Sequence, residues 1–352
     1  MKIAVVGAGA IGGVVGGYLS KAGYDVTLVD IAKEHVEAMN ASGLTLEIEQ
    51  EKINIPVRAI HSEEFSAQAG QEVDLLILAV KAQHTEEALG PMIHHLHANS
   101  VVLSMQNGLC ENVIAALVGK ERTMGCFVNL FADYLEPGVI QYGGVGSLYI
   151  GELGGRITDR LEQIHQLLLA WGPARMTDNI WGYLWSKLAY GAVLTATALV
   201  DETMADIMEP LDNQELFAAL ASETLAVASK AGVVPMGFDD WEPGLIYPAE
   251  NRDEARLQEQ WRILIKRLRS YKKVKSGIWR DLAVRKRKTE VPHHLNPVIE
   301  LGESMGFAMK LTKKVVAMIH EVEDGSRQMS WVNLEELRDL YQPKEDVHAT
   351  SE

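Results

Sequence analysis

Apolar residues fall along the chain in two rhythms. In the first half they come as short, nearly unbroken runs over residues 3–6, 26–29, 74–80 and 100–105. Runs of this length are too short for helices and apolar on both sides of a pleat, which predicts buried parallel strands. Helical periodicity covers 33–42 and 86–96 between them, with an extended patch over 44–55. A strand-rich stretch follows from 123 to 150, turning at Pro137-Gly138 and Gly143-Gly144. A helix over 158–170 and a short strand over 174–179 close this part. Beyond Trp181 the rhythm changes. Helical segments at 183–197, 214–231, 255–271, 296–305 and 314–323 dominate, and 237–252 reads as a long loop rich in Pro, Gly, Asp and Glu. The pattern predicts an α/β domain over 1–179, a mostly helical domain over 180–342 and a polar tail over 343–352. No internal repeat or low-complexity tract interrupts it.

The first run leads into Gly7, Gly9 and Gly12, a G-x-G-x-x-G spacing with Ala10 and Ile11 between the last two glycines. Gly7 permits a tight turn, Gly9 lets backbone approach a pyrophosphate, and Gly12 lets the next helix pack close to the strand. The first turn of that helix, expected near Gly13 and Val14, would aim N–H groups and partial positive charge at phosphates. The run 26–29 then delivers Asp30, where a carboxylate can accept hydrogen bonds from an adenosine ribose. Strand, glycines, helix, strand and acid in this order predict a Rossmann dinucleotide-binding domain. A secretory signal over residues 2–19 is the competing reading. It fails because six glycines make a poor apolar helix and no small-residue cleavage site precedes a sensible start. Lys81 and Asn107 follow the runs 74–80 and 100–105 at the strand ends where ligands bind in such sheets. A strand-capping lysine and an ordinary turn asparagine are the plainer readings of those two.

At 352 residues, 47% apolar and 23% charged, the chain is long enough for two cores and ordinary for a soluble globular protein. No later apolar run is long enough to span a bilayer, so no membrane role is expected. Cys110 and Cys126 offer neither a disulfide framework nor a metal-ligand spacing, so no metal is expected and a reducing, cytoplasmic setting is. A net charge of −15 argues against nucleic acid as principal partner. The charge is uneven, however: residues 262–288 carry twelve Lys and Arg against the single acid Asp281. The plainer reading is a solvated helical surface balancing the acidic remainder. The functional one is a basic wall that attracts an anionic substrate.

Trp185-Ser186-Lys187-Leu188 opens the first long helix of the second half. A lysine there, among Trp181, Trp185 and Tyr190, is a candidate proton donor, because desolvation lowers a lysine pKa from about 10.4 toward neutrality. A surface lysine is the plainer alternative. At this point the chain resembles the ketopantoate reductases (2-dehydropantoate 2-reductases), over roughly residues 1–325. The resemblance rests on Gly7, Gly9 and Gly12, on Lys81 after its strand, and on Gln106-Asn107-Gly108. It continues through Pro137-Gly138-Val139 and Trp185-Ser186-Lys187-Leu188 to Ser276-Gly277 and Thr289-Glu290. It implies a Rossmann domain followed by a helical one, and hydride transfer between a nicotinamide and a 2-keto acid. It further implies Lys187 as the general acid, or the base in reverse, with Glu290 holding the substrate hydroxyl. Ser276 or Gly277 would face the substrate carboxylate, and Lys81 and Asn107 would contact the cofactor near its reactive end. The segment before Glu290 is one residue longer than the usual family spacing.

Two departures from the family pattern bear on specificity. The asparagines usually found one and two turns beyond the lysine are here Gly191 and Thr195, expected on the same helix face as Lys187. Members that use NADPH tend to carry a basic or neutral residue where this chain has Asp30. The expectation is an oxidoreductase that prefers NAD over NADP. Its small-molecule substrate would be a 2-oxo or 2-hydroxy acid, or a related alcohol, bulkier than ketopantoate and lined by Gly191 and Thr195. Close packing of the helix against the Rossmann domain is the other reading of Gly191, and a homodimer is a candidate assembly. An NADPH-linked 2-dehydropantoate 2-reductase of pantothenate synthesis is the alternative enzyme. A dinucleotide-binding sensor without catalysis is the alternative of another class.

Overall fold

A computed structural model describes residues 1–49, 51–68, 70–144, 146–271 and 274–341. The chain divides into two compact units, Met1–Leu184 and Trp185–Glu352. The expected tail, 343–352, lies outside the described residues.

In the first unit, β1 (Lys2–Val6) turns through the glycines into α1 (Ala10–Lys21), and β2 (Asp25–Asp30) returns parallel to β1. Next come α2 (Lys33–Ser42), the hairpin of β3 (Leu44–Ile48) and β4 (Glu51–Ile55), β5 (Arg58–His61) and α3 (Ser62–Ala67). The chain then crosses to the other side of β1 with β6 (Val73–Leu78), α4 (Thr85–Leu89), β7 (Leu96–Ser104), α5 (Cys110–Val118) and β8 (Thr123–Asn129). It finishes with β9 (Ala132–Glu136), β10 (Val139–Tyr142), β11 (Ser147–Glu152), α6 (Asp159–Leu168) and β12 (Arg175–Met176). The large sheet runs β12-β11-β8-β7-β6-β1-β2-β5, parallel except where β11 meets β8. Its central strands are buried on both faces. Ile3, Val5, Leu75 and Ile77 enter one apolar core, while Ala4, Val6, Leu76 and Leu78 enter another, as the two-residue period requires. Because β2 and β6 flank β1 on opposite sides, the strand order reverses there, and the carboxyl ends of β1, β2, β6 and β7 frame the crevice where such sheets take ligands.

The extended patch over 44–55 belongs to a second sheet, β4-β3-β10-β9. It explains why α1 carries so many glycines, each of which costs about 1 kcal/mol in a helix relative to alanine. A Cβ on Gly16 would stand 2.5 Å from Leu28 of the large sheet, and one on Gly13 would stand 2.3 Å from Ile140 of the small one. The helix is clasped closely on two sides, and at Gly13 the Ala8 carbonyl, 2.7 Å from the same Cβ, leaves no room for a side chain.

Two expectations are corrected. α1 begins at Ala10, ahead of the expected Gly13 and Val14, so Gly12 lies inside its first turn. No single helix covers 86–96: α4 ends at Leu89, and Gly90-Pro91 passes into a 3-10 turn over Gly90–His95, since proline removes a donor and its ring crowds a preceding carbonyl. The compact units divide at Leu184/Trp185, five residues beyond the expected 179/180. The division falls inside one helix, and helical periodicity carries no mark of it.

That helix is α7 (Ile180–Thr197), followed by α8 (Met204–Met208), α9 (Leu211–Lys230) and α10 (Glu254–Ser270). The second unit continues with α11 (Gly277–Ala283), α12 (Val291–Ser304), α13 (Lys310–Glu323) and α14 (Val332–Leu340). α9 is buried almost all round and packs against α12, α13 and α14. Glu223 of α9 caps α13, its carboxylate accepting from the backbone N–H groups of Leu311 and Thr312 and from the Thr312 hydroxyl. Several residues of the basic run pair with acids. Arg262 pairs with Glu259, Arg267 with Asp240 at 2.9 Å, Arg269 with Glu209 at 2.7 Å and Lys275 with Asp201 at 2.5 Å. Arg285 and Arg287 share Asp281. Among the described residues, no helix is long and apolar enough to cross a membrane.

Candidate active site

The candidates for dinucleotide binding lie at the carboxyl ends of β1, β2, β6 and β7. Gly7 donates its N–H to Val29 O at 2.8 Å and adopts φ +92°, and a Cβ there would meet Val80 N at 2.8 Å. A Cβ on Gly12 would meet Gly7 O at 2.1 Å, so the helix must start in close contact with the strand. Gly9 differs: a Cβ there meets nothing within 4 Å. The backbone beside Gly9 is therefore approachable, and α1 starts there with the N–H groups of Ala10, Ile11 and Gly12 lacking intrahelical acceptors. Open backbone, unused donors and a nearby acid fit a dinucleotide pyrophosphate and ribose.

Asp30 closes β2. Its Oδ2 accepts from Ala8 N–H at 2.8 Å and its Oδ1 from Ala32 N–H at 2.9 Å, which fixes the carboxylate beside the glycine turn. Each oxygen keeps a further lone pair for a ribose hydroxyl. Lys81 is half-buried and opens the 3-10 turn after β6, and Asn107 is exposed in the turn after β7. No role was expected of Gln106 beyond its place in the Gln106-Asn107-Gly108 motif. Buried Gln106 donates from Nε2 to Val80 O at 3.0 Å and to the Thr85 hydroxyl at 2.9 Å, tying the two strand ends together.

The second unit holds the remaining candidates. From Gly182 onward α7 is buried except at Lys187, Tyr190, Gly191 and Leu194, a stripe at i, i+3, i+4 and i+7. A Cβ on Gly191 would meet nothing within 4 Å. Thr195 does not share the stripe. It is 3% exposed, and its hydroxyl donates to Gly191 O at 2.8 Å. At about 100° per residue, i+8 lies about 80° away from Lys187 whereas i+7 lies about 20° away, so Leu194 takes the place expected of Thr195. Tyr190 packs against Trp241 at 5.0 Å and Phe238 at 6.0 Å between ring centroids, both from the loop 237–252. Burial pushes the Tyr190 phenol above its ordinary value. Of the aromatic neighbours expected from the sequence, Trp185 is buried, and Trp181, which belongs to the first unit, donates its indole N–H to Leu153 O of the same unit.

Glu290 stands immediately before α12, its Oε1 3.8 Å from His294 Nε2 one turn on. The preceding residue is firmly held: Thr289 gives both its N–H and its hydroxyl to Glu323 Oε1, each at 2.7 Å. Ser276 caps α11, its Oγ accepting from Trp279 N–H at 3.1 Å, and is buried; Gly277, the first residue of α11, is exposed.

Residues 3–155 match the family model described as ketopantoate reductase PanE/ApbA, and residues 179–323 match that of its C-terminal part. The chain is 33% identical to a 2-dehydropantoate 2-reductase of Pyrococcus horikoshii over 204 residues, covering 57% of this chain and 64% of that enzyme's length. The crystal structure of a PanE/ApbA family ketopantoate reductase from Ralstonia eutropha superposes with a TM-score of 0.76 at 25% identity, covering 92% of this chain and 99% of that one. D-mandelate dehydrogenase, in a ternary structure with NADH and anilino(oxo)acetate, shares the fold with a TM-score of 0.78 at 22% identity and the same coverage. With both parts of the family model matched across the fingerprint turn and the helical unit, the chain belongs to the ketopantoate reductase family.

Proposed function

We propose that this protein is an NAD(H)-linked oxidoreductase that interconverts a 2-oxo acid and its 2-hydroxy acid, with a substrate bulkier than ketopantoate. Family membership supports oxidoreductase chemistry on a CH–OH group with a nicotinamide cofactor. The bound nicotinamide supplies or takes the hydride. During reduction the Lys187 ammonium gives a proton to the carbonyl oxygen as the carbonyl carbon receives hydride, and in oxidation the neutral amine accepts the hydroxyl proton. Glu290 accepts a hydrogen bond from a substrate hydroxyl. Gly277 is the more accessible of the two candidates for the substrate carboxylate, since Ser276 is buried. Gly7, Gly9, Ala10, Ile11 and Gly12 carry the pyrophosphate, and Lys81 and Asn107 stand toward the reactive end of the cofactor.

The observation that carries the substrate reading is the accessible stripe of α7, where Gly191 leaves space one turn beyond Lys187 and aromatic Tyr190 borders it. The cofactor preference rests on Asp30. A unit charge about 4 Å from a phosphate charge is repelled by about 4 kcal/mol at an effective dielectric near 20, and a third of that is already a tenfold preference. A second reading, NADPH-linked reduction of ketopantoate, is favoured by the name its curated relatives carry. One experiment separates them: kcat/KM for ketopantoate and for phenyl- and branched-chain 2-oxo acids, each with NADH and NADPH, and for the hydroxy acids in reverse. NADH with a bulky acid should lead by about tenfold or more. Ketopantoate with NADPH as the best pair would overturn the proposal.

A further inference from the structure

The glycine turn is held by a histidine that neither the fingerprint nor the family motifs mark. His35 lies in the first turn of α2, is 1% exposed, and places Nε2 2.9 Å from Ala8 O. Its other ring nitrogen, Nδ1, accepts the N–H of Gly138 at 2.9 Å. An imidazole nitrogen that accepts an N–H cannot itself carry a proton, so the hydrogen of the neutral ring resides on Nε2 and is donated to Ala8 O. Gly138 sits in the turn between β9 and β10 at φ +78°, and its carbonyl accepts from Thr45 N–H of β3 at 2.8 Å. The small sheet thereby braces the ring from behind.

Ala8 is consequently gripped on both sides. Its N–H goes to Asp30 Oδ2 and its carbonyl to His35, and the residue is fully buried. In a planar trans peptide the C=O and the following N–H point in opposite directions. Drawing Ala8 O toward His35 therefore turns the Gly9 N–H away from the ring, at the one glycine of the fingerprint whose outer side is open.

We propose that His35, in its Nε2–H form, is a positioning residue for the dinucleotide: by holding Ala8 O it sets the orientation of the Gly9 N–H that meets the pyrophosphate. This rests on the reading of the glycine turn as the cofactor site. It gives the second sheet and the Pro137-Gly138 turn a part in cofactor binding.

The test uses His35→Asn and His35→Gln in the full chain, with NADH, ADP-ribose and adenosine as probes. The Gln amide can place a donor near the Nε2 position and so keep the bond to Ala8 O. The Asn amide reaches only the Nδ1 position, and so keeps Gly138 but releases Ala8. His35→Asn should weaken NADH and ADP-ribose by roughly tenfold or more, whereas His35→Gln should stay within about threefold of the natural protein. Adenosine, which has no pyrophosphate, should bind all three forms alike. KM for NADH should rise in His35→Asn with kcat at saturating cofactor unchanged. Equal losses for adenosine and ADP-ribose, or a lowered melting temperature with unchanged Kd values, would reduce His35 to a packing role and overturn the proposal. Failure of the unaltered protein to bind either NADH or NADPH would overturn the cofactor reading and this one with it. If His35→Asn does not fold, the 15N shifts of His35 in the unaltered protein decide. An Nε2–H tautomer retained on NADH binding supports the proposal, and an Nδ1–H tautomer overturns it.

Discussion

Replacing Gly191 with alanine should make the protein more stable and a poorer catalyst at once. The stability arm follows from helix chemistry. Gly191 lies well inside α7, and alanine in a helix interior is favoured over glycine by about 1 kcal/mol because it loses less backbone entropy. That gain is usually offset where the new methyl collides with a neighbour, but a Cβ on Gly191 meets nothing within 4 Å. The full increment should survive, raising the melting temperature by about 2 °C in a chain of this size. The catalytic arm follows from the same space. If it receives a substrate substituent one turn beyond Lys187, a methyl group there displaces about one methylene of ligand. Such a change is worth about 1–3 kcal/mol, or roughly 10- to 200-fold in kcat/KM. The loss should be greatest for the bulkiest acid and least for ketopantoate, and kcat/KM by NADH absorbance together with a thermal melt reads both arms. A stabilised variant whose kcat/KM stays within about twofold for every acid would show that the space beside Gly191 is not the substrate's. A destabilised variant would show that the position is crowded after all.

Three further outcomes are expected. Lys187→Ala should lower kcat by about 10²- to 10⁴-fold while NADH affinity changes little, and Lys187→Arg should not restore it, because guanidinium does not exchange its proton near neutral pH; stopped-flow binding with steady-state rates checks both. Asp30→Asn keeps an acceptor for Ala8 N–H but removes the charge, so the ratio of kcat/KM for NADH to that for NADPH should fall by about tenfold, and an unchanged ratio would move the discrimination elsewhere. In Glu152, burial alone would raise the carboxyl, but the Arg160 fork and the Thr158 hydroxyl hold it below its ordinary value. A depressed carboxyl contributes stability above its unfolded pKa and loses it as pH falls through the folded one. Glu152→Gln should therefore cost about 2 kcal/mol in urea unfolding at pH 7, less than a fully buried pair because the Arg160 side chain is 35% exposed, and the difference should shrink below about pH 4.

What the sequence determined by itself is local chemistry with a short period. The apolar runs at 3–6 and 74–80 became β1 and β6 because a strand buried on both faces has no polar side to show. Gly7, Gly9, Gly12 and Asp30 could be read together because all four lie within one strand–turn–helix–strand unit, whose geometry is set by near neighbours. The tertiary structure alone decided whatever joins residues far apart in the chain. His35 meets Gly138 across more than a hundred residues, and nothing in a buried first-turn histidine announces that its partner is a turn in another sheet. The glycines at 13 and 16 record two clasping sheets, but a helix sequence does not say how many surfaces it faces. The basic run was readable as a solvated surface or as a wall, and only folding brought Asp201, Glu209 and Asp240 from other segments beside three of its cations. On α7 the expected stripe of Lys187, Gly191 and Thr195 held for the first two, while its far end fell to Leu194 at i+7 and Thr195 turned inward. Periodicity ranks the faces of a helix, but only packing decides which of them is left open, because burial depends on neighbours the helix does not itself encode.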